Sequence, residues 1–366
     1  MGGIDLFDNN SIQIGAGRYF QHHGAIHLIG GEVSNWGKRA YIVTDETVWQ
    51  LTEDRIKASM DNRNIEFFVH CCDLPSTQRS FDLVAEDVLE KEADVVIGLG
   101  GGRCIDIAKG AGDIADKRII TVPTSAATCA AVAILYVTYG EDGSVERSQF
   151  LKHEISAVLV DLDVTVADCP TRYLASGIAD AMAKSPEFAF TMLNLGGAGK
   201  TSTSDTATII ADYTYRSYME KGIAALDAVS RKECDANAED MVCMNLLLTG
   251  LISNLSTGGK QLAVAHNFYD AVCCLQKEVR KNHLHGEIVG LAIPLQLAVN
   301  GAPEAEVLKA KDMMEKLGIP NTMEKMGFCM TDQAIQELID YTHKKTIPDD
   351  KALYKSIKDN FKIILK

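Results

Sequence analysis

Asp180, His266 and His285 are the side chains whose types and settings best suit chemistry in this chain. Asp180 lies in YLASGIADAMAK, a lone carboxylate among small and apolar residues. A charge left unpaired in such surroundings is costly, so something must neutralise it. His266 sits in LAVAHNFYD, on an apolar helical stretch, and His285 sits in HLHGEIVGLAIPLQL, just ahead of another. A divalent cation held by one carboxylate and two imidazoles would neutralise Asp180 and leave positions open for a substrate oxygen. Such an ion is a Lewis acid: it stabilises negative charge on oxygen as a hydride leaves the carbinol carbon, or polarises a carbonyl in the reverse direction. Taken singly, each of the three reads as an ordinary core or surface residue. His283 reads as a surface histidine or as a neighbour of such a site that relays protons.

A second constellation lies in DVVIGLGGGRCIDIAKG. Gly100, Gly101 and Gly102 fall directly between a strand-like run and an apolar-periodic helix. Glycines there let backbone N–H groups approach a pyrophosphate, the helix N-terminus offers partial positive charge, and Arg103 can add a full one. A tight turn that needs positive φ is the plainer alternative. Asp45 ends the run AYIVTD, where a strand-end carboxylate can accept hydrogen bonds from a ribose. It is equally well placed to cap the helix that starts ETVW.

The elements around these residues change character along the chain. RAYIVTD, ETVWQLTEDRIKASMDN, IEFFVH, SFDLVAEDVLEKE and ADVVIGLGGG alternate strand-like and helical patterns. DVVIGLG is continuously apolar, as a parallel strand covered on both faces should be. AVLVD at Ala157–Asp161 is the last clear strand before helical stretches such as EDMVCMNLLLTGLISNLS and AEVLKAKDMMEKLG take over. The fold expected is therefore α/β plus all-α, with a doubly wound parallel-sheet domain over residues 1–163 and a helical domain over 164–366. A chain of 366 residues is also long for a single core.

Ile119 to Tyr139 is apolar enough to raise the question of a membrane span. Its β-branched start reads instead as a buried strand ended by Pro123, followed by a polar loop of Thr124, Ser125 and Thr128 and then a buried helix. A net charge of -14 argues against nucleic acid and anionic membranes as partners. The opening MGGIDLFDNNS lacks the pattern of an export signal, which points to the cytoplasm. The 10 cysteines have no CxxC spacing and read as reduced thiols, mostly buried.

Taken in order and spacing, IVTD, GLGGGRCIDIAKG, VPTSAATCAA, SGIADAMAK, AVAH and LHGEIVGLAIPLQL resemble the glycerol-dehydrogenase branch of the iron-containing alcohol dehydrogenases over nearly the whole chain. The resemblance implies an N-terminal Rossmann-like domain, a C-terminal helical domain, and a nicotinamide cofactor and metal meeting in the cleft between them. It implies Asp180, His266 and His285 as ligands of Zn2+, with Fe2+ the alternative ion. It implies Asp45, Gly100, Gly101, Gly102, Arg103, Thr124, Leu135 and Tyr139 as the NAD site, with NADP the alternative and Asp45 favouring NAD because a carboxylate repels a 2′-phosphate. A homo-oligomer acting on a small alcohol or carbonyl substrate is expected on the same ground.

The chain also departs from that pattern. Cys129 stands in the substrate stretch where glycerol dehydrogenases have an aspartate, which removes a hydrogen-bond acceptor for a polyol. ATCAA there looks more like relatives that resemble hydroxycarboxylate dehydrogenases, so a 2-hydroxy acid stands beside a polyol as the expected substrate. Ser185 and Pro186 fall where the family has an aromatic residue, with a local disturbance of the helix expected. Tyr269 takes the place of a second histidine, and Ala133 that of a serine. The same architecture resembles 3-dehydroquinate synthase and glycerol-1-phosphate dehydrogenase. Those would need a phosphate pocket, for which Lys184, Arg231, Lys232 and Lys260 are the candidates.

Overall fold

The computed structural model describes residues 13–195, 201–256 and 262–366. Its strands are β1 (Tyr19–His22), β2 (Arg39–Thr44), β3 (Glu66–Cys71), β4 (Val95–Gly100), β5 (Arg118–Pro123), β6 (Leu135–Tyr139), β7 (Val145–Phe150) and β8 (Ile155–Asp161). The helices of the first half are α1 (Ile29–Ser34), α2 (Glu46–Asp61), α3 (Gln78–Glu90) and α4 (Gly102–Ile114). Then follow α5 (Thr171–Met182), α6 (Lys184–Leu195), α7 (Ser202–Ser230), α8 (Ala236–Cys243), α9 (Thr249–Leu255), α10 (Val264–Leu275), α11 (Lys277–Asn282), α12 (His285–Val299) and α13 (Glu304–Lys316). The shorter C-terminal set is α14 (Met323–Met326), α15 (Asp332–Thr346), α16 (Lys351–Asn360) and α17 (Lys362–Leu365).

One compact unit comprises Gln13–Pro170 together with Ala228–Asn254. Its centre is a six-stranded sheet in the order β1-β8-β5-β4-β2-β3, with every pairing parallel. The continuously apolar runs form its middle: β4 and β8 are buried at every residue, as strands covered on both faces must be. Ile42, Ile97, Leu99, Ile120, Val122 and Leu159 pack there, each contributing about 1.5–3 kcal/mol by leaving water. Side chains from the preceding turns start the covering helices. Asp45 accepts from Val48 N–H at 2.9 Å at the head of α2, and Thr77 accepts from Ser80 N–H at 3.3 Å at the head of α3.

Two features of this unit differ from what the sequence predicts. The helix expected after Thr128 is a single 3-10 turn, Cys129–Ala131, followed by β6, which pairs antiparallel with β7. An unbroken apolar run carries no period of its own, and LYVTY alternates between buried and half-buried positions, which suits a strand with one face covered. The single division expected near residue 163 is replaced by a break at Pro170 and a return of Ala228–Asn254 to the sheet-containing unit. Side-chain amides hold that returning segment. Asn245 Nδ2 donates to the Ala126 carbonyl at 2.9 Å, while Asn254 accepts from Ile134 N–H at 3.0 Å and donates to the carbonyls of Ile14 and Val132 at 3.0 and 3.3 Å.

The other unit contains Thr171–Asp227 and Leu255–Lys366 and is helical throughout its described residues. Its centre is α12, buried from Gly286 to Leu297 and packed against α5, α10, α13 and α16. Two glycines set how closely α12 lies on α5. A Cβ at Gly286 would come 1.9 Å from the Ser176 carbonyl oxygen, and one at Gly290 would come 2.9 Å from the Ala179 Cβ. The disturbance expected at KSPEF takes the form of a break: α5 ends at Met182 and α6 begins at Lys184, which leaves Pro186 in the first turn of α6, where an N–H has no intrahelical acceptor. Among the described residues no helix is long and apolar enough to cross a membrane.

Gly286→Ala tests this close approach. The added methyl meets backbone, so the substitution is expected to destabilise the chain by about 1–3 kcal/mol, as overpacking does. Urea unfolding reads the loss as a lower midpoint; an unchanged midpoint would show that α5 and α12 can part without cost.

Candidate metal and nucleotide sites

In the helical unit, Asp180 near the end of α5, His266 in the first turn of α10 and His285 at the start of α12 converge. Their donor atoms all lie within 4.8 Å of one another. His266 Nε2 is 3.2 Å and His285 Nε2 3.1 Å from the same oxygen, Asp180 Oδ1. Asp180 is only 4% exposed. Burial pushes its carboxyl up, but the two imidazoles outweigh this and hold it well below the usual carboxylate range. Burial keeps His285 below its ordinary value despite Asp180. His266 is drawn down by burial, but Glu187 and Asp180 more than offset that and push it up to about 9.

The residues around the triad fix its orientation. Glu187, fully buried on α6, accepts from the His266 backbone N–H at 2.9 Å and from Nδ1 at 2.8 Å. With Nδ1 donating to Glu187, Nε2 is the atom turned to Asp180: it donates there while the ring is protonated, and it is the lone pair offered to an ion once that proton leaves. Arg172 on α5 donates from Nε to Glu287 Oε1 at 2.5 Å and from Nη2 to Oε2 at 2.6 Å. Glu287 in turn accepts from Leu284 N–H at 2.9 Å and anchors the turn that begins α12. His283 faces that carboxylate and the Met326 carbonyl, at 3.3 and 3.1 Å. Tyr269 meets the His285 ring edge-on, with centroids 4.2 Å apart.

This donor set fits a divalent cation. Separations of 3.1 and 3.2 Å to a shared carboxylate oxygen are those of ligands around an ion with bonds of about 2.0–2.2 Å. Lone pairs facing one another at that distance need a positive charge between them. In the metal-free chain the charge is a proton on His266. Glu187 is not singled out by the sequence, where KSPEF is conspicuous for its proline; the available signal is a carboxylate set directly between Pro186 and the apolar FAF.

In the sheet-containing unit, the triple-glycine turn joins β4 to α4. Gly100 has φ 143, and a Cβ there would lie 3.2 Å from Cys104, whereas Gly101 faces open space. Asp45 uses Oδ1 to cap α2; its Oδ2 lies 3.9 Å from Cys104 Sγ, beside the glycine turn. Thr124 N–H donates to the Gly100 carbonyl at 3.2 Å, and Thr128 Oγ1 would lie 3.3 Å from a Cβ at Gly102. Cys129 Sγ is 4.0 Å from Ser253 Oγ. Arg103, in the first turn of α4, is exposed.

Leu135 and Tyr139 fall at the two ends of β6, and a lysine that does not stand out in the sequence fixes this stretch. Lys109 on α4 is 0% exposed, and its Nζ donates to the carbonyls of Ala130 at 2.6 Å, Ala133 at 2.9 Å and Leu135 at 2.5 Å. Asp106, one turn earlier, lies 3.8 Å from the ammonium and accepts from Val137 N–H at 3.4 Å. Tyr139 N–H donates to the Ser76 carbonyl at 2.8 Å. Of the lysines and arginines considered for phosphate, Arg231 pairs with Glu233 at 2.9 Å, Arg231 and Lys232 belong to the sheet-containing unit, Lys184 belongs to the helical one, and Lys260 lies outside the described residues.

Residues 16–164 match the sequence profile of iron-containing alcohol dehydrogenases. Over 319 residues the chain is 32% identical to a glycerol dehydrogenase of Thermotoga maritima, covering 85% of this chain and 83% of that protein. The chain belongs to the iron-containing alcohol dehydrogenase family. A glycolaldehyde reductase of Halobacterium salinarum is 28% identical over 323 residues, covering 88% of this chain and 86% of its own. In structure the chain superposes on a probable glycerol dehydrogenase from Sinorhizobium meliloti with a TM-score of 0.82 at 23% identity, covering 95% of this chain and 97% of the other. As an iron-containing alcohol dehydrogenase, the protein is an alcohol oxidoreductase that works with NAD(P) and a metal ion.

Two outcomes are expected from this geometry. Glu187→Gln removes the anion behind His266 and should weaken zinc binding about 10- to 100-fold, as loss of a carboxylate behind a metal-binding histidine does; competition with a chromogenic chelator measures it. The metal-free chain should also lose stability in alkali. A His266 held at about 9 against an unfolded value of about 6.5 gives stability that is complete below the lower figure and lost as pH rises through the upper one. Thermal melts across that window, with and without zinc, read this loss and its suppression by the metal.

Proposed function

We propose that this chain is a zinc-dependent dehydrogenase, similar to glycerol dehydrogenase, that exchanges a hydride between NAD and a small polyol or 2-hydroxy acid. The convergence of Asp180, His266 and His285 on one buried point carries this reading. A divalent ion held there supplies Lewis acidity to a hydroxyl or carbonyl oxygen. Asp180 contributes the balancing charge. Glu187 keeps the proton of His266 on Nδ1 so that Nε2 remains a donor, and Glu287, clamped by Arg172, sets where α12 begins and hence where His285 sits.

In the same reading, the backbone N–H groups of Gly101, Gly102 and Arg103 bind the pyrophosphate at the head of α4. Asp45 Oδ2 accepts from a ribose hydroxyl and disfavours a 2′-phosphate, which selects NAD over NADP. Thr124, Leu135 and Tyr139 line the nicotinamide half, and Lys109 holds the backbone between the last two in place. Cys129 presents a thiol to the substrate where a polyol enzyme would present an acceptor. A cytoplasmic homo-oligomer with zinc rather than iron agrees with the composition and with the resemblance.

A panel of carbonyl substrates tests the proposal. The zinc-loaded protein should oxidise NADH faster than NADPH with dihydroxyacetone, glycolaldehyde or 2-oxobutanoate, and chelation should abolish the rate; activity that survives chelation would overturn the metal assignment. Cys129→Asp should raise kcat/KM for glycerol relative to a 2-hydroxy acid by at least about tenfold, since restoring a hydrogen-bond acceptor favours the hydroxyl-rich substrate.

A further inference from the structure

Away from Asp180, a second group of donors lies in the sheet-containing unit. His23 follows β1, Cys234 lies in the turn between α7 and α8, and Glu239 is in the first turn of α8. One donor atom from each lies within 4.8 Å of the others. A nitrogen, a sulfur and an oxygen brought together from distant parts of a sequence are what a borderline-soft divalent ion binds. Tetrahedral bonding to such an ion, with bonds of about 2.0–2.3 Å, needs donor separations of roughly 3.3–3.7 Å. Donors already within 4.8 Å of one another are within reach of that geometry by side-chain rotation.

The surroundings favour the same occupant. Asp163 Oδ1 accepts from His23 Nδ1 at 2.7 Å, which leaves Nε2 as the ring's lone-pair donor, the arrangement found behind metal-binding histidines. The backbone that carries the donors is already tied together: Gln21 Nε2 donates to the Glu239 carbonyl at 2.9 Å, and Asp235 caps α8 by accepting from Ala238 N–H at 2.9 Å. The carboxylates of Glu239, Asp235 and Asp163 all lie close enough to Cys234 to act on it, and a cation relieves that local gathering of negative charge.

We propose that His23, Cys234 and Glu239, oriented by Asp163, form a second divalent transition-metal site, separate from Asp180, His266 and His285. The His23 and Asp163 side chains are 56% and 46% exposed, so the ion exchanges with solvent. On binding, Cys234 gives its proton to solvent and the thiolate forms the bond to the ion. The ion would fasten Ala228–Asn254 to the first strand, acting as a clip within one unit rather than as a centre of catalysis.

Cobalt titration of the complete chain tests the proposal, because the triad at Asp180 contains no sulfur. The expected result is a near-ultraviolet thiolate-to-cobalt charge-transfer band that saturates at one such ion per chain. It should be absent in Cys234→Ala, and His23→Ala should weaken the underlying affinity by at least about tenfold. NADH oxidation should persist in Cys234→Ala, which separates failure of this site from failure of the catalytic reading. A titration without a thiolate band, or a band that survives Cys234→Ala, would overturn the assignment.

Discussion

A negative charge buried on Asp180 is the constraint to which the helical unit answers. An isolated carboxylate in that position would be prohibitively expensive, so the helices that carry its partners must arrive in register. Gly286 and Gly290 allow α12 to lie directly on α5; Gln296 accepts from Val264 N–H at 2.6 Å and fixes where α10 starts; Glu187 reaches across from α6. Each contact serves the placement of a nitrogen beside one oxygen. The result is chemical as well as structural, since donors gathered for neutralisation are also donors for an ion.

The sheet-containing unit handles its buried charge with the sign reversed. Lys109 is a fully enclosed cation whose nearest carboxylate, Asp106, stands 3.8 Å away; three backbone carbonyls accept its hydrogen bonds instead. Burial lowers the lysine's affinity for its proton despite Asp106. The short link between the Cys129–Ala131 turn and β6 is thereby given a defined shape. The carbonyls of Ala130, Ala133 and Leu135 are ordered by one side chain from α4.

The sequence is most legible where a residue conflicts with its surroundings or a pattern repeats. Asp180, His266 and His285 stand out because they are polar residues in apolar runs, and β4 because a continuous apolar run that ends in a glycine turn suits a covered parallel strand far better than a helix. Legibility fails where meaning depends on a distant partner. Glu187 is significant only once α10 lies against it, Lys109 looks like any helical lysine until three carbonyls surround it, and Gly286 is one glycine among many until Ser176 approaches. The strand β6 reads as a helix in the sequence because an apolar segment without polar punctuation does not reveal its period. Asn245 and Asn254 give no sign that they close hydrogen bonds to backbone more than a hundred positions earlier.

Those two asparagines bear on how the protein is made. The carbonyl of Ala126 and the N–H of Ile134 emerge from the ribosome long before Asn245 and Asn254, whose side-chain amides pair with them. Until the later segment is synthesised, this backbone must remain hydrated or find other partners, because burying it unpaired would carry a penalty of about 1–3 kcal/mol per group. The sheet-containing unit therefore cannot finish folding in the order in which it is translated. Its last piece arrives only after the α5 carboxylate has already been made, so the two halves mature as interleaved rather than successive steps.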